Sequence, residues 1–147
     1  IKNLIIPDTV KHINKNAFDD NELESVRLPN NLKKISRGVF QNNNLISVNI
    51  PINVEEIGQS AFKNNKLTNI TIPENVKNIR KNAFKENPDI SKINFSGNYD
   101  NIKFEEIFDE GVLLNYAMSF GKAYREEQSS MGESKKGWKI INILLIN

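Results

Sequence analysis

The chain has 147 residues and a formal net charge of +2, with 20 Lys and Arg against 18 Asp and Glu. That balance excludes the basic footprint of a nucleic-acid-binding domain, and the absence of cysteine excludes a disulfide framework and a thiolate metal site. No run of about 18 apolar residues is present, so this segment is not expected to insert into a membrane.

From Ile1 the chain keeps a beat of 22 residues, marked first by Pro7, Pro29, Pro51 and Pro73. Phe18, Phe40, Phe62 and Phe84 keep it, as do Ile13, Ile35, Ile57 and Ile79, and Asn21, Asn43, Asn65 and Asn87. Proline is about 5% of average sequence, so its spacing alone argues against chance. A fixed period of this length marks a repeat architecture, in which neighbouring units bury what one unit cannot. The units read IKNLIIPDTVKHINKNAFDDNE, LESVRLPNNLKKISRGVFQNNN, LISVNIPINVEEIGQSAFKNNK and LTNITIPENVKNIRKNAFKENPD. A fifth opens as ISKINFSGN, where Ile90, Ile93 and Phe95 keep the pattern and Ser96 replaces the proline.

Each unit carries two apolar clusters. In the first, Leu23, Val26 and Leu28 alternate with polar residues, which predicts a short strand with one buried face. Proline closes it, because it has no N–H to continue a ladder. The second, Leu32, Ile35, Val39 and Phe40, predicts another short strand or a tight turn that returns the chain to the next unit. The recurring Asn21, Asn43, Asn65 and Asn87 are expected to form a structural ladder, donating to and accepting from the backbone of adjacent turns.

After Gly97 the beat is lost. Residues 102–127 read as helix, with Phe104, Ile107 and Phe108 on one apolar face and Leu113, Ala117, Phe120 and Tyr124 continuing it. Gly111 is expected to separate two helices. Residues 128–137 read as a polar loop and 138–146 as one strand. The end of a repeat stack must be covered, so 97–147 is expected to be a capping subdomain whose aromatic residues pack on Phe84 and Phe95. A separate binding module using Trp138, Tyr116 and Tyr124 is the alternative. The chain opens within the repeat register, and is expected to be part of a longer protein.

Catalytic chemistry is poorly supplied. His12 is the single histidine, and no serine stands in a GxSxG elbow. Glu105, Glu106, Asp109 and Glu110 cluster in the tail, where a solvated helix face explains them as well as a cation site. No metal or other cofactor is expected, and the chain is not expected to be an enzyme. Two sequons occur, at Asn69-Ile-Thr71 and Asn94-Phe-Ser96.

The pattern LxxIxIPxxVxxIxxxAFxxN resembles the BspA-type leucine-rich repeat of bacterial surface proteins, also found in some parasitic protists. The likeness covers residues 1–96. The family often has Cys where this chain has its Asn column, and Gly after the Ile of the column Ile13, Ile35, Ile57 and Ile79, which only Gly58 matches. The resemblance implies a right-handed leucine-rich-repeat coil of four to five units with short parallel strands; with the helical and single-strand cap expected after it, the fold class is an α/β repeat solenoid. It also implies a secreted or cell-surface location and a role in adhesion, matrix binding or host interaction.

The candidate binding surface is the outward face of the first strand column: Ser25, Arg27, Ser47, Asn49, Asn69, Thr71, Lys92 and Asn94. Unlike the core columns these are mixed, small and polar, which suits recognition of a protein or glycan, on a host surface or in a matrix. The alternative is a structural spacer that presents another domain.

Overall fold

The computed structural model describes residues 1–97 and 101–115. Among the described residues, seven short strands are stacked in two columns, and helical stretches follow them. In the first, β1 (Asn3–Ile5) pairs in parallel with β2 (Ser25–Arg27), and β5 (Asn69–Ile72) with β7 (Lys92–Phe95). In the second, β3 (Lys34–Ile35), β4 (Glu56–Ile57) and β6 (Asn78–Ile79) form one parallel ladder. Thus both apolar clusters of the unit supply strands. The register advances by 22 residues between β1 and β2, and by 23 between β5 and β7, where Pro88 adds one residue.

The pattern dictates the packing. In β5 and β7, Ile70, Ile72, Ile93 and Phe95 point inward and are buried, while Asn69, Thr71, Lys92 and Asn94 alternate outward. In each of the first four units the proline carbonyl closes a turn by accepting from the residue three on, at 3.0 to 3.2 Å for Val10, Leu32, Val54 and Val76. Five phenylalanines form a stack: Phe18, Phe40, Phe62, Phe84 and Phe108 succeed one another at centroid distances of 5.4 to 5.7 Å, within 16° of parallel. Phe40, Phe62, Phe84 and Phe108 are fully buried, and each contributes roughly 1.5–3 kcal/mol of hydrophobic stabilisation.

The return turn needs left-handed backbone twice in each unit. Asn16, Gly38, Ser60 and Asn82 have φ of 57° to 63°, and Asp20, Asn42, Asn64 and Glu86 have φ of 55° to 59°. Asn, Asp and Gly tolerate this region best, and they hold six of the eight positions.

Two features differ from the expectations set by the pattern. The third unit has the same apolar spacing in LISVNIP, yet 47–49 is not a strand. No hydrogen bond is made by the backbone of 47–50 among the described residues. The first column is therefore split into two pairs, while the second column is continuous.

The tail also differs. The beat does not end at Gly97, because Phe108 takes the next place in the aromatic stack, 24 residues after Phe84. The backbone follows it: Asn82 N–H donates to the Glu106 carbonyl at 2.7 Å and Phe84 N–H to that of Ile107 at 3.1 Å. The helix α1 spans only Phe104–Ile107, and a second helical stretch occupies 110–115. The break lies at Phe108 and Asp109, not at Gly111, because Phe108 must turn inward to complete the stack. Phe104 meets Phe95 edge-on at 5.1 Å and 87°. The expected loop at 128–137 and strand at 138–146 lie outside the described residues.

Candidate recognition face

All eight candidate residues of the first strand column are exposed: Ser25, Arg27, Ser47, Asn49, Asn69, Thr71, Lys92 and Asn94. Strand alternation puts six of them there, and Ser47 and Asn49 face outward at the equivalent places although 47–49 is not a strand. Register stacks Asn3 on Ser25, Ile5 on Arg27, Asn69 on Lys92 and Thr71 on Asn94.

They are not equally available. Ser25 Oγ donates to Asn3 Oδ1 at 2.7 Å. Arg27 donates to Asp8 Oδ2 at 3.2 Å and to the Ile6 carbonyl at 3.4 Å, and lies 3.1 Å from Asp8 Oδ1. Asn69 Nδ2 makes a long bond of 3.4 Å to Thr68. The side chains of Ser47, Asn49, Thr71, Lys92 and Asn94 make no hydrogen bond or ion pair among the described residues.

The asparagine column is internal. Asn43, Asn65 and Asn87 are buried. Each Oδ1 accepts from the N–H of the leucine that opens its own unit, Leu23, Leu45 or Leu67, at 3.0, 3.0 and 3.2 Å. Each Nδ2 donates to the phenylalanine carbonyl of its own unit and of the unit before, within 3.1 Å. Asn21 differs: it is exposed and reaches only the Asp19 carbonyl at 3.2 Å.

A second polar row, just after the prolines, escaped the sequence reading. Asp8 Oδ1 accepts from the Asn30 N–H at 3.0 Å, Asn53 Nδ2 donates to the Asn30 carbonyl at 3.3 Å, and Asn75 Nδ2 to the Ile52 carbonyl at 2.9 Å. The signal was present in the column Asn31, Asn53 and Asn75. The Arg27 hydrogen bond, followed by that from the Asn30 amide, holds the Asp8 carboxyl below its ordinary value against the opposing effect of desolvation. One place in this row is apolar: Ile52 stands 61% exposed between Asn30 and Glu74. Around it the surface sinks into a depression of about 470 Å³, whose lining includes Asn49, Pro51, Ile52, Thr71 and Glu74.

The other candidates are dispersed. His12 is exposed. Asp109 is engaged, since its carboxylate accepts from the N–H groups of Glu86 and Asn87 at 2.9 and 3.0 Å. It stands where a backbone carbonyl serves in earlier units, as when Asn64 N–H donates to the Lys85 carbonyl at 2.9 Å. Among the described residues, no group of three His, Cys, Asp or Glu is placed to hold a metal ion, and no helix is long and apolar enough to cross a membrane. Tyr116, Tyr124 and Trp138 lie outside the described residues.

The repeat geometry has parallels in known proteins. A family model described as the BspA type leucine rich repeat region matches residues 1–111 in six copies. A solved leucine-rich repeat protein from Bacteroides ovatus ATCC 8483 is 32% identical and superposes with a TM-score of 0.62 over 64% of this chain. The match spans 25% of that protein's length. No curated protein matches the chain.

Proposed function

The chain belongs to the BspA-type leucine-rich-repeat family, and on that premise we propose that it is a non-enzymatic binding segment of a secreted or cell-surface protein. It recognises a protein or glycan, presented by a host surface or a matrix, through the outward face of its first strand column. The observation that carries this reading is the contrast between two sets of columns. The inward columns hold only apolar residues, buried or partly buried, whereas the outward candidates are mixed, polar and exposed, and the side chains of Ser47, Asn49, Thr71, Lys92 and Asn94 make no hydrogen bond or ion pair among the described residues. Solenoids present such extended faces for multi-point contact. Rungs about 4.8 Å apart set its pitch. Affinity per segment is modest on a face this small, and repetition on a cell raises it through effective concentration.

The test is a screen of the purified chain against matrix proteins, cell surfaces and glycans, with an Asn49→Arg/Thr71→Arg variant beside it. Binding that is lost in the folded variant supports a recognition face. Undiminished binding removes this face from the mechanism. A folded chain that binds nothing favours the structural spacer, for which the 25% span of the structural relative leaves room.

A further inference from the structure

The outward face is chemically divided along its length. In the first two units the groups that could meet a ligand are consumed internally: Arg27 is bonded to Asp8, and Asp8 also accepts from Asn30. In the third and fourth units the equivalent places hold Asn49, Ile52, Thr71 and Glu74, all exposed, whose side chains make no hydrogen bond or ion pair among the described residues. These four line the depression of about 470 Å³. That volume falls within the range of sites for small ligands, roughly 300–1,000 Å³.

We propose that this depression binds a neutral glycan, and the proposal rests on the recognition reading above. The donor and acceptor set is that of a sugar site. The Asn49 amide offers both functions, the Thr71 hydroxyl offers both, and the Glu74 carboxylate accepts from hydroxyl groups. Ile52, 61% exposed between them, with Pro51 beside it, gives the C–H face of a pyranose ring an apolar surface. Protein hot spots are built on Trp, Tyr and Arg. None of these lines the depression, and Arg27 beside it is committed to Asp8. Glu74 is the sole charged residue in the lining, which disfavours sulfated or sialylated sugars.

The experiment has three arms on the full chain labelled with ¹⁵N: free glucose, galactose, mannose, N-acetylglucosamine and their disaccharides; sulfated and sialylated sugars; and soluble matrix proteins. The expected result is saturable shifts of the Asn49, Ile52, Thr71 and Glu74 amides with at least one neutral sugar. Asn49→Ala and Glu74→Gln each weaken that binding by about tenfold, the scale of one lost hydrogen bond to a charged or amide partner, and Arg27→Gln leaves it unchanged. A preference for the anionic sugars overturns the proposal. Matrix-protein binding that is lost in Asn49→Arg, with no response to neutral sugars, also overturns it while leaving the recognition face standing. A folded chain silent in all three arms overturns both readings.

Discussion

Phe108 lies on Phe84 with ring centroids 5.4 Å apart and planes 8° from parallel. The aromatic stack therefore continues into the segment after the regular repeats. Its interior rings have rings on both sides, so truncation leaves a cavity that the neighbouring turns cannot close. Phe62→Ala is expected to cost about 3–5 kcal/mol in denaturant unfolding. Phe18→Ala, at the half-buried end of the stack, should cost less than half of that. Phe108→Ala should resemble Phe62→Ala, and a cost under about 1 kcal/mol would show that the stack ends energetically at Phe84.

Asn65 ties the backbones of two successive units together. Its Oδ1 accepts from Leu45 N–H at 3.0 Å, and its Nδ2 reaches the Phe40 and Phe62 carbonyls at 2.9 and 3.0 Å. Asn65→Leu strands a buried N–H and leaves these carbonyls without this donor, an expected loss of about 3 kcal/mol or more. Asn65→Asp keeps the acceptor but places a carboxylate against carbonyl oxygens, and should be worse at neutral pH than in acid. Asn21→Leu, at an exposed position, should stay within about 0.5 kcal/mol of wild type. Equal losses at the two positions would refute the assignment of the ladder to the buried members.

The left-handed positions give a change of opposite sign. Ser60 and Glu86 adopt φ of 57° and 59° without the tolerance of Gly, Asn or Asp. Ser60→Gly is expected to raise stability by up to about 1 kcal/mol, the relief of left-handed strain exceeding the added unfolded-state entropy. Gly38→Ala, at φ 60°, should lower it. Thermal unfolding of the pair checks both signs, and destabilisation by Ser60→Gly would contradict the strain.

The apolar periodicity made most of this architecture legible. Proline, isoleucine, phenylalanine and asparagine in phase located the turns, the first strand column apart from its gap at 47–49, the aromatic column and the buried amides, and left the second column open between strand and turn. The end of the stack was hidden because Phe108 follows Phe84 by 24 residues rather than 22, and because a carboxylate, Asp109, does there what a backbone carbonyl does elsewhere. The left-handed columns were written in Asn, Gly, Asp, Ser and Glu, a mixture that apolar counting passes over. At the candidate face, sequence placed the exposed residues outward, but it could not show that Arg27 is spent on Asp8 while the Asn49 and Thr71 side chains make no hydrogen bond among the described residues. That distinction depends on which side chains the coil brings together across 19 residues.

The gap in the first strand column has a dynamic signature. Asn69–Ile72 is paired in a ladder with Lys92–Phe95, whereas the backbone of 47–50 makes no hydrogen bond among the described residues. Amide exchange follows local opening and hydrogen bonding. The amides of Ser47, Val48 and Asn49 should exchange at least about tenfold faster than those of Ile70 and Ile72. Equal protection would mean that the column is continuous in solution.

The Asp8–Arg27 pair predicts a pH dependence of defined sign. The Asp8 pKa is lowered from 3.8, first by the Arg27 hydrogen bond and then by the Asn30 amide. The folded chain thus holds this proton more weakly than the unfolded chain does. The associated stability is fully present above the unfolded value, declines as pH falls through the window between the unfolded and the lower folded pKa, and is absent below both. Asp8→Asn removes it. The stability difference between wild type and Asp8→Asn should therefore be constant from pH 7 down to about pH 5 and shrink below about pH 4. It should also shrink in high salt, because both partners are exposed to solvent. Urea titrations of the two chains at matched pH measure it, and a difference that persists unchanged at pH 2 would show that Asp8 contributes by packing rather than by charge.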